Sequence, residues 1–268
     1  MRQLIVNADD FGFTKDVNSG IAESHERGIL TAATLMANGA AFDDAVLVSR
    51  RLPGLDVGCH LVLIGGTSLL DGRDYPSTVG QFLRAAVSGR FRIYDELRAQ
   101  VRKIFNAGIT PTHLDTHKHT HLFPPVLDAV VRIGQEFGIR WIRRPFDFPL
   151  QPGTTPWTKR AVSRSFGIVR SRFHRVIAEH GCATTDHFAG FQMTGRFEAA
   201  EVVALIRSLP EGTTEFMVHP GHCGAELQAA NTRLKASRAQ ELAAITSAEV
   251  KYAIEECGVT LARYRDLI

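Results

Sequence analysis

Thr112–Pro145 reads THLDTHKHTHLFPPVLDAVVRIGQEFGIRWIRRP. A short strand, THLDTH, runs into a histidine-rich turn. Pro124–Pro125 opens a helix, since proline is tolerated in a first helical turn, and IRWIRRP follows as the next strand. The same strand–helix alternation extends in both directions. Upstream, LIVNAD (Leu4–Asp9), AATLMANG (Ala32–Gly39) and LDVGCHLVL (Leu55–Leu63) read as buried strands separated by amphipathic helices that stop at glycine or proline. Downstream, TTDHFAGF, TTEFMVHPG and VTLARY read as strands, with FEAAEVVALIRSL, RLKASRAQELAAIT and AEVKYAIEEC as helices between them. Thr246–Glu249 has the spacing of a capping box for the last helix. Ile64 to about Arg90 is polar and glycine-containing and reads as a loop excursion.

Strands alternating with helices predict βα units on a parallel sheet. The 268 residues hold about seven to eight such units. That places the chain in the α/β class and favours a TIM-barrel-like (β/α) barrel over an open doubly wound sheet. No GxGxxG follows the first strand, which argues against dinucleotide binding. A single domain spanning 1–268 is expected.

Composition narrows the function classes. The chain is 44% hydrophobic with a net charge of +3, and its Lys and Arg are spread without a basic tract, so no nucleic-acid footprint is expected. Cys59, Cys182, Cys223 and Cys257 show no CxxC spacing, as for reduced thiols in the cytoplasm. QLIVNADD opens directly as a strand rather than as a signal peptide. No run approaches the roughly 18 apolar residues of a membrane span.

In a parallel barrel, chemistry sits at the C-terminal strand ends. Those ends here carry Asn7, Asp9 and Asp10; His60; His113, Asp115 and His117; Arg143 and Arg144; and His219 before Pro220–Gly221. Burying unpaired carboxylates is costly, so acids and imidazoles converging from distant elements point to a site rather than a core. Adjacent side chains on a strand face opposite ways, so Asp9 and Asp10 share a site only if the strand end bends, which Gly12 permits. His113, Asp115, His117, His119 and His121 share strand parity; in a helix, His117 and His121 would instead be neighbours one turn apart. Either arrangement offers imidazole nitrogen plus carboxylate oxygen, suited to Zn²⁺, Ni²⁺, Co²⁺ or Mn²⁺. Read alone, the Asp pair is equally a helix N-cap, His60 a core histidine and His219 turn chemistry. Arg143 and Arg144 read as surface salt-bridge or packing residues, with a substrate or anion contact as the alternative. Histidines 25, 174, 180, 187 and 222 carry no such pattern.

LIVNADDFG, GCHLVL, PTHLDTHKHTHLFP and VHPG, in this order, resemble the YdjC-like carbohydrate deacetylases, which include chitooligosaccharide and hopanoid-biosynthesis deacetylases. The resemblance implies a distorted (β/α) barrel and a hydrolase that removes acetyl from an N-acetylated sugar with one divalent metal ion, Mg²⁺ or Zn²⁺ foremost. Carried over residue by residue, it implies Asp10, His60 and His117 as metal ligands, Asp9 as general base and His219 as general acid. Asp115 would orient His117 or His113. His113, His119 and His121, with Arg143 and Arg144, would support the site or touch substrate. Residues 146–200 would shape the groove for a small carbohydrate or a glycolipid head group, and a homodimer stays open. Other readings are an amidase or phosphoesterase on the same barrel, which lacks the HxH after strand one that many amidohydrolases carry, and a non-enzymatic metal-binding protein, which leaves Asp9, His60 and His219 unexplained.

Overall fold

The computed structural model describes residues 1–89, 91–148 and 169–267. Its elements follow in order as β1 (Arg2–Phe11), α1 (Lys15–Arg27), β2 (Ala32–Leu35), α2 (Phe42–Arg51), β3 (Asp56–Leu61), α3 (Val79–Val87), α4 (Ile93–Asn106), β4 (His113–Thr116), α5 (Pro124–Phe137) and β5 (Trp141–Ile142). Then come α6 (described over 169–179), β6 (His187–Ala189), α7 (Ala199–Arg207), β7 (Gly212–Val218), α8 (Ala225–Ala229), α9 (Ala236–Thr246), α10 (Ala248–Glu256) and β8 (Thr260–Leu261).

Strands β5-β4-β3-β2-β1-β7-β6 form one sheet with parallel pairings throughout, and β8 pairs with the start of β1. Single bridges join Trp141 to Ala183 and Asp147 to Phe188, bringing the β5 edge round to the β6 side. The sheet thus curls into a distorted form of the barrel that the strand–helix alternation predicts.

Strand alternation sorts side chains into two layers. Leu4, Val6 and Ala8 of β1, Leu35 of β2, Val57 and Cys59 of β3, and Phe216 and Val218 of β7 join the main apolar core with the helices. The alternate positions point into the barrel. At its N-terminal end they are apolar: Ile5, Ala32, Ala262 and Tyr264 form a separate buried cluster. Further along they are polar, and Asn7, Asp9, Thr34, His60, His113, Asp115, Arg143 and Glu215 are all buried. Gly58 of β3 makes room for this layer, because a Cβ there would lie 2.6 Å from the His113 ring.

Two details differ from the sequence reading. The Ile64–Arg90 excursion contains α3, which Thr78 caps by accepting from Gln81 N. Only Phe82 of this helix is buried, while Val79, Leu83 and Val87 are exposed. Helix α10 is capped by Ser247, one residue later than the expected box. Residues 149–168, part of the 146–200 region expected to shape the groove, lie outside the described residues. Among the described residues, no helix is long and apolar enough to cross a membrane.

Candidate active site

The site begins with a fault in β1. Register with β2 shifts between Ala8 and Phe11, and Asp10 takes φ +65°. A left-handed conformation is uncommon for a side-chain-bearing residue, though Asp tolerates it better than most. Gly12 follows at φ +91°, and its N–H donates to Asn18 Oδ1 of α1 at 2.7 Å. The bend therefore lies at Asp10 itself, with Gly12 completing it. It turns Asp10 toward the interior that Asp9 already faces by strand parity.

A second fault follows β4. His117–Leu122 form a 3₁₀ segment interrupted by Lys118 and His119 at φ +55° and +52°. These left-handed residues separate His117 from His121. His117 Nδ1 lies 3.3 Å from Asp10 Oδ1. His121 is turned away, with Nδ1 2.5 Å from Thr116 Oγ1 and Nε2 3.1 Å from the Arg143 carbonyl. Neither a straight strand nor a regular helix accounts for the run. His119 is buried against Phe188 and Phe191, with Nδ1 unpartnered. His113 sits at the other end of β4, stacked on Tyr264, its ring nitrogens 2.9 Å from Asn7 Oδ1 and 2.9 Å from Thr112 Oγ1.

Three donor atoms converge at the mouth of the barrel. His60 Nε2 is 3.4 Å from Asp10 Oδ1 and 3.2 Å from His117 Nδ1, closing a triangle with the 3.3 Å His117–Asp10 edge. Asp10 Oδ1 is buried without a hydrogen-bond partner. A tetrahedral ion with bonds of about 2.0–2.1 Å spaces its donors about 3.3–3.4 Å apart. The donor set and its spacing fit a divalent cation, and these residues form a candidate metal cluster.

The expected role of Asp115 needs correction. It binds neither His117 nor His113 but His60, whose Nδ1 lies 2.7 Å from Asp115 Oδ1. Strand register explains this: β3 and β4 pair His60 directly with Asp115. Thr34 Oγ1 donates to the other Asp115 oxygen at 3.1 Å. With Nδ1 engaged, Nε2 of His60 is left facing the cluster, the usual way a neighbour fixes a ligating tautomer.

Arg143 is no surface residue. Fully buried, it donates to both Asp9 oxygens at 2.8 and 2.6 Å, to Glu215 Oε1 at 2.7 Å, and lies 2.5 Å from Asp115 Oδ2. Arg144, by strand alternation, points elsewhere and binds the Asp186 carbonyl. Asp9, Asp115 and Glu215 pair with the Arg143 guanidinium and Asp10 with that of Arg238, while His60, His117 and His219 lie within 4 Å of Asp9, Asp10 or Asp115. Burial disfavours the Asp9 carboxylate, yet Arg143, His60 and His219 together outweigh it and hold Asp9 well below the usual range. Burial likewise opposes a charged His60, but Asp115, Asp9 and Asp10 raise it to about 10. Glu215 is pushed up by burial to about 7, with Arg143 opposing.

His219 lies one residue past β7, with Nε2 3.9 Å from Asp9 Oδ2. Burial lowers its pKa to about 4 against the pull of Asp9 and Asp10. Sequence reasoning missed Glu215, Arg238 and Glu241. Glu215 was visible as an acid in the middle of TTEFMV. Arg238 binds Asp10 and Glu241 accepts the His219 N–H, but on α9 they look like any surface pair three residues apart.

The model of YdjC-like proteins matches residues 3–256. The chain belongs to the YdjC-like family. Two similar proteins of this size are a carbohydrate deacetylase from Geobacillus stearothermophilus, 33% identical over 99% of this chain and 98% of that one, and a chitooligosaccharide deacetylase from Klebsiella pneumoniae, 32% identical over 99% of each. An Enterococcus faecalis crystal structure, named for cellobiose-phosphate cleavage, shares the fold of this YdjC-like chain with a TM-score of 0.78. It is 24% identical and covers 99% of this chain and 98% of its own.

Proposed function

We propose that this YdjC-like protein is a carbohydrate N-deacetylase, a hydrolase that removes acetyl from an N-acetylated sugar with the help of one divalent cation. The observation that carries the reading is the half-buried triangle of Asp10 Oδ1, His60 Nε2 and His117 Nδ1 beside Asp9 and His219. The deacetylase names of relatives with full-length coverage support it. Two imidazoles with one carboxylate, at this spacing, favour zinc over magnesium, which prefers an all-oxygen octahedron. The four free thiols fit a cytoplasmic location.

A cation held by Asp10, His60 and His117 supplies Lewis acidity, polarising the acetyl carbonyl and easing loss of a proton from the attacking water. Asp9 accepts that proton. Arg143 fixes both Asp9 oxygens, orienting the base but weakening it, so the proton does not rest there. His219, uncharged at neutral pH, is the next acceptor, 3.9 Å from Asp9. It then donates to the departing amine nitrogen, acid–base help worth roughly 10²–10⁴-fold. In this scheme one proton passes from water through Asp9 to His219 and on to the leaving group.

The test is acetate release from diacetylchitobiose by purified protein, before and after chelation, with Zn²⁺, Mg²⁺, Co²⁺ or Ni²⁺ restored. Chelator-sensitive release restored best by Zn²⁺ is expected. A protein that binds one ion per chain yet releases no acetate from any N-acetylated sugar would overturn the reading.

A further inference from the structure

Helix α9 carries two charged residues, Arg238 and Glu241, each about 1% exposed. They are three residues apart and so share a helix face. Burying a guanidinium and a carboxylate costs several kcal/mol each unless partners compensate, and a helix that only packs would use apolar residues there. Each side chain reaches the mouth of the barrel with at least one hydrogen bond. Arg238 Nη2 donates to Asp10 Oδ2, the oxygen that does not face His60 and His117, while Nε donates to the Leu234 carbonyl at 3.2 Å. Glu241 accepts the backbone N–H of His219 at 2.6 Å and that of Gly195 at 2.8 Å. Its Oε2 also lies 3.8 Å from His219 Nδ1. A third tie runs from Gly221 N–H to the Arg238 carbonyl at 3.2 Å. The loop after β7 is thus bound to α9 at both ends of His219–Gly221. On its other side the loop packs closely on α1, where a Cβ on Gly20 would come within 2.4 Å of the Gly221 Cα.

We propose that α9 is the positioning element of the site: Arg238 fixes Asp10 so that Oδ1 points at the cation position, and Glu241 fixes His219 so that Nδ1 faces a carboxylate and Nε2 faces Asp9. Neither residue touches the reacting atoms. Each acts through a residue of β1 or of the β7 loop, and one helix thereby sets the distance between the cation and the proton donor. The role of Glu241 in turnover rests on the deacetylase reading; that of Arg238 in cation binding does not.

The two residues separate by experiment. Arg238→Met is expected to lower Zn²⁺ affinity by about 10–100-fold, the usual effect of losing an outer partner of a ligand, with Arg238→Lys recovering part of it. Excess Zn²⁺ restores turnover in both variants. Glu241→Gln keeps wild-type Zn²⁺ affinity but loses about tenfold or more in kcat, with KM unchanged and no rescue by Zn²⁺. Calorimetric titration with Zn²⁺, steady-state acetate release and the unfolding midpoint of the metal-free protein are the measurements. Equal losses of Zn²⁺ affinity in both variants, losses that simply track a lowered midpoint, or no change in either would overturn the proposal. If the wild-type protein releases no acetate, the deacetylase reading fails by itself. Calorimetry still decides Arg238, and nitrogen NMR of the His219 ring decides Glu241: a tautomer change in Glu241→Gln supports the proposal, and an unchanged ring overturns it.

Discussion

His113 and His117 lie four residues apart, one opening a short strand and one just past its end, and are chemically identical. At the lower end, His113 has a partner for each ring nitrogen and a stacked Tyr264 at 3.9 Å between ring centroids. At the upper end, His117 and His60 direct nitrogens toward Asp10 Oδ1, an acceptor that no hydrogen bond satisfies. Native proteins satisfy nearly all their buried polar atoms, so the exceptions ask for an explanation. The lower histidine is complete within the chain, whereas the upper cluster becomes complete only with a cation. Residue type and sequence position do not separate the two; the accounting of ring nitrogens does.

The largest effect that tests this contrast is loss of a cluster member. His117→Ala or His60→Ala is expected to lower Zn²⁺ affinity well beyond the 10–100-fold that outer partners cost. His121→Ala, whose ring nitrogens are spent on Thr116 and the Arg143 carbonyl, should keep one ion per chain and weaken acetate release less. Metal content of the purified variants checks both, and equal loss in His117→Ala and His121→Ala would break the contrast. Next in size is Asp9→Asn, expected to lower kcat by about 10²–10⁴-fold while Zn²⁺ binding by calorimetry persists.

The same contrast shows what the sequence could and could not say. The βα order was legible because helical and strand periods differ, and because glycine and proline mark the ends. That Asp9, Asp10, His60, His117 and His219 lie at strand ends was legible from the pattern; singling them out from Asn7, His113, Asp115, Arg143 and Arg144 came from the family resemblance. The partner of Asp115 was not legible, because it depends on the β3–β4 register, which is set by contacts far apart in sequence. Arg143 looked like a surface residue because barrel interiors are usually apolar; here three carboxylates compensate a buried guanidinium. The left-handed turns at Asp10, Lys118 and His119 fall on residues that give no glycine signal.

A smaller effect is expected at the lower end. His113→Ala removes a ring from a packed stack and strands Asn7 and Thr112, costing about 2–4 kcal/mol of stability. The unfolding midpoint should drop by several degrees while the protein still binds one Zn²⁺ per chain. Loss of the ion in this variant would mean that the two ends are not separable.

In pH dependence the two ends should carry opposite signs. Burial lowers His113 from 6.5 to about 4. The unfolded chain therefore binds the proton more readily between those values, and stability contributed by neutral His113 is present above pH 6.5 and lost as pH falls toward 4. In the metal-free protein His60 is raised from 6.5 to about 10, because its surrounding carboxylates outweigh burial. Its contribution is fully present below pH 6.5 and disappears as pH rises through 10. Urea unfolding of metal-free protein across this range, compared with His113→Asn and His60→Asn, measures each slope. Loss of the acid-side slope in the first variant and of the alkaline-side slope in the second is expected. A shared slope would mean that the mouth of the barrel, like its base, is satisfied without a cation.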